Sequence, residues 1–411
     1  MITYKEAINI LSNALQPLPA FKMASEQAHG VLARDVISTE EVPHFSNSAM
    51  DGYAVKSVET NGADADNPVK LEVRGCILAG EWAPEINQKE SCCEIMTGSV
   101  MPTGFDAVIP VEQVEFIDKD GRAFIVINQS VKSGRNVRFS GEDFKPGQMI
   151  AKKGQLLNPY ILMAINANKI ESVSVYRPPK IGILTTGSEL ETVNQEENGP
   201  TIPNTNGPFL QSSTRRMGIP CNGMASVGDS SQMILEKIQN FMDLESDIII
   251  ISGGVSAGKA DFVPGALRTL GANILFHKVW IRPGKPILMA KLPTGQFVFG
   301  LPGNPVSVAV GFRFFVNQAF RILQGQTLEE PISAINKNEF NKPEKFCFFA
   351  KAQTGYTQSG NLEAKILSGQ ESFKLSPFYR ANSWMILPEG TDMIKAGEKI
   401  QIMPLHPGEA I

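Results

Sequence analysis

The sequence predicts a multidomain protein in which an α/β domain with a parallel sheet lies between β-rich regions of the chain. Length is the first observation, because 411 residues suffice for two to four domains at about 150 residues each. The second is a change of pattern. From residue 177 to 328 apolar runs alternate with segments of helical periodicity, whereas short β-type runs separated by glycine and proline dominate before and after.

The N-terminal part of the chain begins with a helical pattern and then changes to strands. Residues 3–16 predict an amphipathic helix with a capping box at its start. A second helix is predicted over residues 24–35. Short β-type runs follow from 42 to 143. Residues 158–170 return to helix, with Asn158 as the cap and Pro159 at the first helical position.

The α/β domain is predicted from three apolar strands, each related to a helical segment. The predicted strands are residues 181–185, 247–251 and 297–301, and the predicted helices are residues 204–217, 261–270 and 305–323. The second strand is apolar throughout its β-branched core, as expected where both faces of a sheet are covered. After residue 329 short strands and turns predict a small all-β terminal domain.

Composition disfavours several classes of function. Lys and Arg number 38 against 42 Asp and Glu, a balance of −4 that is not typical of a nucleic-acid binder. The five cysteines lack a CxxC motif, and the four histidines lack zinc-site spacing. No run approaches the roughly 18 apolar residues that span a bilayer, and the N-terminus lacks a secretory signal pattern. We therefore expect a cytoplasmic protein that binds neither nucleic acid nor membrane.

Three glycine turns follow the predicted strands, at the edge where open α/β sheets bind ligands. They comprise Thr186, Gly187 and Glu189 in the first, Ser252, Gly253, Gly254, Ser256, Gly258 and Asp261 in the second, and Pro302, Gly303 and Asn304 in the third. Glycine lets backbone amides approach a phosphate, and a following helix N-terminus favours the anion. Three such turns in one sheet predict a phosphate site, although neither GxGxxG nor a Walker pattern occurs at them. Asn304 is also predicted to cap a helix that Pro305 begins.

A rigid turn with two cations lies in the same region. Arg282 and Lys285 flank Pro283 and Gly284, an arrangement that suits a fixed phosphate or oxyanion clamp. Ordinary surface charge is the alternative interpretation of this stretch.

Carboxylates are placed near the glycine turns. Glu189 and Asp261 lie within or just after them, where magnesium partners of a phosphate are expected. Asp51, Glu142 and Asp143 from polar loops of the N-terminal half are further candidates for a shared metal site. Taken alone, Glu189 or Asp261 is better explained as a residue at a helix start, a position that Asp and Glu favour.

Eight segments together resemble the MoeA family, the molybdopterin molybdenumtransferases, which are related to the C-terminal part of gephyrin. In chain order these segments are SNSAMDGYAV, MTGSVMP, NVRFSGED, ILTTGSEL, NTNGPFL, SGGVSAGKADF, RPGKP and LPGNPVS. They cover essentially the whole chain, so the resemblance is far more specific than any single segment.

The resemblance implies four domains and a homodimer. The domains are an N-terminal helical domain (1–45 with 144–176), an inserted β-rich domain (46–143), the α/β molybdopterin-binding domain (177–328) and a C-terminal β-barrel (329–411). The N-terminal region would be elongated. The dimer would join the α/β domain of one subunit to the inserted domain of the other in a shared cleft.

The function implied is insertion of molybdenum from molybdate into adenylylated molybdopterin, with release of AMP and with Mg²⁺ as cofactor. The candidate catalytic residues are Asp51, Thr97, Asp143, Glu189 and Asp261, of which Asp51, Glu189 and Asp261 would hold the metal. Asp51, Thr97, Arg138 and Asp143 would act across the dimer. Ligand-lining positions by resemblance also include Thr186, Ser252, Gly253, Gly254, Lys285, Pro302, Asn304 and, in the terminal domain, Ser372. A molybdopterin adenylyltransferase is a candidate protein partner.

The chain departs from the family pattern at three positions. Lys259 stands where relatives often have an acid, Arg282 where lysine is common, and Glu371 where a glycine usually precedes the serine. Two other functions stay open, adenylylation of molybdopterin by ATP and a non-enzymatic scaffold like gephyrin. The Asp51 loop argues against the first, and the complete set of glycine turns and acids argues against the second.

Overall fold

The computed structural model describes residues 1–190, 201–255 and 262–409, which form two compact units. The smaller unit is Lys22–Val173, and the larger unit combines Met1–Phe21 with the chain from Ser174 onward. The finer division into four domains stays a prediction.

The N-terminal helix α1 (Tyr4–Ala14) belongs to the larger unit. Its predicted capping box is present, because the Thr3 hydroxyl accepts from the Glu6 amide at 3.2 Å and the Thr3 amide donates to the Glu6 carboxylate at 2.7 Å. Ala7 and Leu11 on its buried face enter the main core. The chain then passes through β1 (Ala20–Ala24) into the smaller unit.

The smaller unit is built mainly of strands, as predicted for this part of the chain. Its elements are β2 (Val36–Ile37), β3 (Asn47–Ser48), β4 (Gly52–Val55), β5 (Val69–Ile77), β6 (Ser91–Ile95), β7 (Ala107–Pro110), β8 (Glu115–Lys119), β9 (Arg122–Ile127), β10 (Val137–Arg138), β11 (Met149–Ala151) and α2 (Pro159–Ala167), followed by β12 (Ser172–Tyr176). Six strands form a sheet of order β7-β4-β6-β5-β9-β8, and only the β5 and β6 pair is parallel. Helix α2 begins as predicted, since the Asn158 side chain accepts from the Ile161 amide at 2.9 Å.

The helix predicted over residues 24–35 is wrong. This stretch contains a single 3₁₀ turn, Ser25–Gln27, and then runs extended beside residues 154–157. Gly30 adopts a φ of +88°, which interrupts any helix there. The Leu32 amide bonds to the Gln155 carbonyl at 2.9 Å, so pairing with a distant segment replaces the local helical bonds.

The larger unit contains the predicted α/β layer. The elements of this part of the chain are β13 (Ile181–Thr186), α3 (Asn206–Arg216), β14 (Cys221–Val227), α4 (Ser231–Asp243), β15 (Ile248–Ser252), α5 (Phe262–Thr269), β16 (Asn273–His277), β17 (Ile281–Arg282), β18 (Leu288–Lys291), β19 (Phe297–Leu301), α6 (Pro305–Gly311) and α7 (Asn317–Leu323). Of these, β17 lies outside the α/β sheet. The sheet order is β14-β13-β15-β19-β18-β16, and its first four strands are parallel. The three predicted strands are therefore confirmed as parallel neighbours, whereas the antiparallel β16 and β18 were not predicted.

A π-helical turn, Phe312–Val316, connects α6 to α7. By length and composition the whole stretch Pro305–Leu323 would suffice to cross a bilayer. Within this stretch, 89% of the most apolar 18-residue segment is buried inside the protein, as expected for the central helix of a core.

The C-terminal part forms the predicted β-barrel. Its strands are β20 (Ile332–Asn336), β21 (Phe340–Asn341), β22 (Cys347–Tyr356), β23 (Leu362–Ile366), β24 (Ser383–Leu387), β25 (Met393–Ile394) and β26 (Lys399–Pro404). The order β22-β23-β20-β26-β24 closes because β24 pairs back onto β22. The barrel shares a core with the α/β layer, where Phe349 stacks on Phe314 at 4.0 Å between ring centroids.

Candidate active site

The glycine turns lie together because their strands are parallel. Within one sheet β13 ends at Thr186, β15 at Ser252 and β19 at Leu301. The register aligns Ser252 with both Thr185 and Leu301, so the three turns leave the same edge of the sheet. A cleft of about 1480 Å³ opens there, lined by these turns and by barrel residues.

Backbone contact at the second turn permits only glycine. Gly253 adopts a φ of +102°, and a Cβ there would lie 2.3 Å from the Thr186 carbonyl oxygen. Its amide donates to the Leu301 carbonyl at 2.9 Å, which joins this turn to the end of β19. The first and second turns therefore pack directly against each other.

The Thr186 hydroxyl is the clearest sign of a ligand. Thr186 is buried, and its Oγ1 has no hydrogen-bond partner among the residues that the structure describes. A buried hydroxyl normally finds a partner, so an unpaired one in a residue of the cleft wall makes Thr186 a candidate ligand contact. The structure thus places Thr186 where the sequence predicted a ligand contact.

Two asparagines hold the turns, and sequence reasoning gave them no role. The Asn206 side chain donates to the Ser252 hydroxyl at 2.9 Å and to the Gly303 carbonyl at 2.7 Å. Asn204 donates to the Thr185 hydroxyl at 2.8 Å. Both belong to the NTNGPFL segment, so the two amide side chains were visible in the sequence, although nothing in the segment showed which groups they bond.

The third turn meets the barrel. Asn304 occupies the N-cap position of α6, but the predicted side-chain cap is not made. Instead Asn304 donates to the Ser372 hydroxyl at 3.1 Å, and the Val306 amide donates to the Ser372 carbonyl at 3.1 Å. Ser372 therefore does line the cleft. Glu371, at the unusual position before it, has no positive φ and causes no strain there.

The turn after β17 presents two cations to the cleft. Pro283 and Gly284 are buried, whereas Arg282 and Lys285 are exposed. The Ile287 amide closes the turn on the Gly284 carbonyl at 3.0 Å. Neither cation has an ion-pair partner within the described ranges, so both are free to bind an anion.

The barrel adds two cations that the sequence did not indicate. Lys365 lies on β23, and Arg380 directly follows the 3₁₀ turn Ser376–Tyr379, which precedes β24. Both line the cleft. In the chain both residues lie far beyond the third glycine turn, because helices α6 and α7 and strands β20 to β22 come between. No local motif marks them, since their position depends on how the barrel packs.

The acidic candidates are only partly described. Glu189 is exposed at the cleft, and its carboxylate lies beside Gly187. Asp229, which sequence reasoning missed, accepts from the Ser188 amide at 3.4 Å. The predicted residues Ser256, Gly258, Lys259 and Asp261 lie outside the described residues. Among those that are described, no three His, Cys, Asp or Glu side chains converge as a metal site would require.

In the smaller unit two candidate residues form a direct pair. The Asp51 carboxylate accepts from the Thr97 amide and hydroxyl, each at 2.7 Å. The Thr97 amide first, and then its hydroxyl, hold the pKa of Asp51 below its usual value. Arg138 lies on β10, which pairs with β3, and the Asp143 amide bonds to Val42 at 2.9 Å. Asp51, Thr97, Arg138 and Asp143 are all exposed.

The fold and the cleft thus define a multidomain protein whose α/β domain gathers glycine turns at one sheet edge, in a cleft that cations without an ion-pair partner among the described residues also line. Family profiles agree with this class. The MoeA N-terminal region (domain I and II) matches residues 2–167, the "Probable molybdopterin binding domain" residues 182–321, and the MoeA C-terminal region (domain IV) residues 333–405. The chain belongs to the MoeA family.

Individual relatives extend along the whole chain. The chain is 33% identical to the molybdopterin molybdenumtransferase of Synechococcus elongatus, over 98% of its own length and 100% of the relative's. It is 31% identical to the molybdopterin molybdenumtransferase of Staphylococcus aureus (strain Mu50), over 98% of its own length and 95% of that relative's. A crystal structure of the molybdopterin biosynthesis moeA protein from Pyrococcus horikoshii OT3 matches with a TM-score of 0.80 at 29% identity, over 98% of this chain and 99% of that one.

Proposed function

We propose that this protein is a molybdopterin molybdenumtransferase, an enzyme of molybdenum cofactor biosynthesis that inserts molybdenum from molybdate into adenylylated molybdopterin and releases AMP. Membership of the family along the full chain supports the enzyme class. The observation that carries the chemistry is the cleft, where a buried unpaired hydroxyl, glycine turns and free cations surround one space.

The reaction brings together two anions, a phosphorylated dithiolene and an oxyanion, so the enzyme must offset their mutual repulsion. Arg282 and Lys285 are placed to do this from a rigid turn. The Thr186 hydroxyl would donate to the same space, which Gly254 and Gly303 also line. The amides of Gly187 and Gly253 are bonded to the Val227 and Leu301 carbonyls, at 3.2 and 2.9 Å, and hold the turns. No protein nucleophile is needed, because holding both ligands in reach supplies most of the rate gain.

Magnesium is part of the proposal. Glu189 offers a carboxylate at the cleft, the hard oxygen donor that Mg²⁺ prefers, and we assign Asp261 and Asp51 as its further ligands. A bound Mg²⁺ would neutralise the pyrophosphate of the substrate. The other roles belong to the protein: Ser372 and Asn304 position the ligand, and Arg282 and Lys285 hold its negative charge.

We assign four residues of the smaller unit to the binding of a ligand held mainly by the partner subunit. We propose a homodimer in which Asp51, Thr97, Arg138 and Asp143 complete the site of the partner subunit. Their exposure supports this, as does the lack of any ion-pair partner for Asp51, Arg138 or Asp143 in the described part of the chain. The cytoplasmic location and an interaction with a molybdopterin adenylyltransferase stay predictions.

The test supplies adenylylated molybdopterin, molybdate and Mg²⁺ and follows AMP. The wild type should release AMP, and Glu189→Ala, Asp51→Ala and Lys285→Met should each release it at least about tenfold more slowly. Lys337→Met is the matched control for the lysine variant, because Lys337 is also exposed but pairs with Glu363 at 3.1 Å on the barrel.

Two results would contradict the proposal. Unchanged AMP release in Glu189→Ala and Asp51→Ala would reject the roles assigned to these acids. Turnover of ATP with molybdopterin that is not adenylylated would instead support an adenylyltransferase.

A further inference from the structure

Lys351 is a buried cation that does not face the cleft. Its side chain is 0% exposed on β22, beside Trp384 of β24. Its Nζ donates to the Lys374 carbonyl at 2.9 Å and to the Glu371 carbonyl at 3.4 Å. No carboxylate within the described ranges forms an ion pair with it. A buried ammonium is costly, and the two carbonyl bonds compensate its burial together with the Phe378 ring, whose centroid lies 5.5 Å from the Nζ.

The backbone of Lys351 holds the start of the same loop. Its carbonyl accepts from the Leu367 amide at 3.0 Å and from the Gln370 side chain at 2.9 Å. Its amide donates to the Gln370 side-chain oxygen at 2.9 Å. One residue of the barrel wall therefore fixes the loop 367–374 near both of its ends.

That loop carries Ser372 to the cleft. On the side away from Lys351, Ser372 accepts from the Asn304 side chain and the Val306 amide, each at 3.1 Å. The loop is thus held between the barrel strand and the start of α6. If the bonds of the Lys351 side chain were lost, the segment around Ser372 would keep its contacts at the start of α6 and the Gln370 bonds, but it would lose its anchor at residues 371 and 374.

We propose that Lys351 is a positioning residue for the active site, which holds the 371–374 segment so that Ser372 meets the start of α6 at the cleft. Lys351 touches neither the cleft nor a ligand, so it acts only through this loop. The activity readout of this inference rests on the proposed function, whereas the structural readout does not.

The charge state of Lys351 gives a signature that a merely structural side chain would lack. Burial lowers the pKa of Lys351 to about 8, while Glu371 raises it and Lys374 lowers it further. These two are the charged groups that face it in the described part of the chain. As the pH rises through this value the ammonium becomes a neutral amine, whose bonds to carbonyls are weaker. The loop should then loosen.

The experiment measures amide hydrogen exchange in the full chain without ligand. The reporters are Val306, whose amide donates to Ser372, and Lys374, whose amide donates to Glu371 at 3.2 Å. In Lys351→Met both should exchange about tenfold faster than in the wild type, because a hydrogen bond from a charged group is lost. Lys337→Met is the control and should leave both rates unchanged.

The pH profile and a second pair of variants complete the test. After correction for intrinsic exchange, wild-type Val306 should lose protection as the pH passes about 8, and Lys351→Met should not. Gln370→Leu removes another anchor of the same loop and should act in the same direction. Lys351→Gln provides a polar replacement if the methionine variant does not fold.

The outcomes separate this inference from the proposed function. Unchanged exchange of Val306 and Lys374 in Lys351→Met would overturn the inference, whatever the activity. Faster exchange together with at least about tenfold slower AMP release would support it. Faster exchange in a protein whose wild type releases no AMP would support the positioning role and contradict the proposed function instead.

Discussion

Replacing Gly253 with alanine tests whether close packing between two glycine turns fixes the site. At Gly253 a Cβ would lie 2.3 Å from the Thr186 carbonyl oxygen and 2.6 Å from its hydroxyl. Thr186 cannot move aside easily, because it is the last residue of β13 and pairs with Val227 of β14. The turn itself must shift, and with it Ser252 and Gly254.

A second glycine isolates this contact from backbone strain. Gly295 has a φ of +103°, almost the same as the +102° of Gly253, but a Cβ there meets nothing within 4 Å. Strain from a positive φ costs about 1–3 kcal/mol and should be shared by both alanine variants. Overpacking adds about 1–3 kcal/mol, and only at Gly253.

Thermal and urea unfolding of Gly253→Ala and Gly295→Ala measure the difference. Gly253→Ala should be less stable than Gly295→Ala by about 1–3 kcal/mol, which lowers Tm further by about 2–4 °C per kcal/mol. AMP release should fall at least about tenfold in Gly253→Ala and stay near wild type in Gly295→Ala. Equal stability of the two variants would refute the packing argument, and full activity of Gly253→Ala would refute the role of this turn.

The remaining predictions concern other contacts. Asn206→Ala should slow AMP release at least about tenfold, whereas Asn222→Ala, which loses a bond to Leu244 at 2.8 Å far from the cleft lining, should change only stability. Arg313→Met should cost about 3–5 kcal/mol in urea unfolding, because it leaves the Glu329 carboxylate, bound at 2.7 Å, unpaired; adding Glu329→Gln should restore part of this. In Thr97→Val the pKa of Asp51, followed by NMR, should rise toward its ordinary value. The stabilisation from this contact, present above the ordinary carboxyl pKa, should be lost in the wild type as the pH falls through the lowered pKa of Asp51.

The parallel strands of the α/β layer were predictable because their residue types depend on local environment. Ile248–Ser252 is buried on both faces, and its apolar β-branched sequence reflects that directly. Strand β14 was not predicted, because its environment is different and its residue types reflect that. Cys221–Val227 is an edge strand of mostly half-buried residues, so its sequence CNGMASV lacks both an apolar run and a clear alternation.

The errors and omissions come from contacts distant in sequence. Residues 24–35 have helical periodicity, yet pairing with residues 154–157 overrides it. Asn304 was predicted to cap α6, but its side chain instead reaches Ser372, which is 68 residues further along the chain. These two residues are too far apart in the chain for a local sequence pattern to include both. The local residues therefore predict a helix cap, whereas tertiary packing gives Asn304 a different partner.

Local charge, and not net charge, explains how an acidic protein can hold two anions. The chain carries −4 overall, yet the described cleft lining brings together Arg282, Lys285, Lys365 and Arg380. Of the two acids in that lining, Glu371 is already paired with Lys374 at 2.8 Å, which leaves Glu189. Arg282 ends β17, which pairs with β22 of the barrel, and Lys285 lies in the turn that leads to β18 of the α/β sheet. Lys365 and Arg380 belong to the C-terminal part, so the field depends on both walls being held together. The contacts of Ser372 with the start of α6 therefore matter for electrostatics as well as for shape.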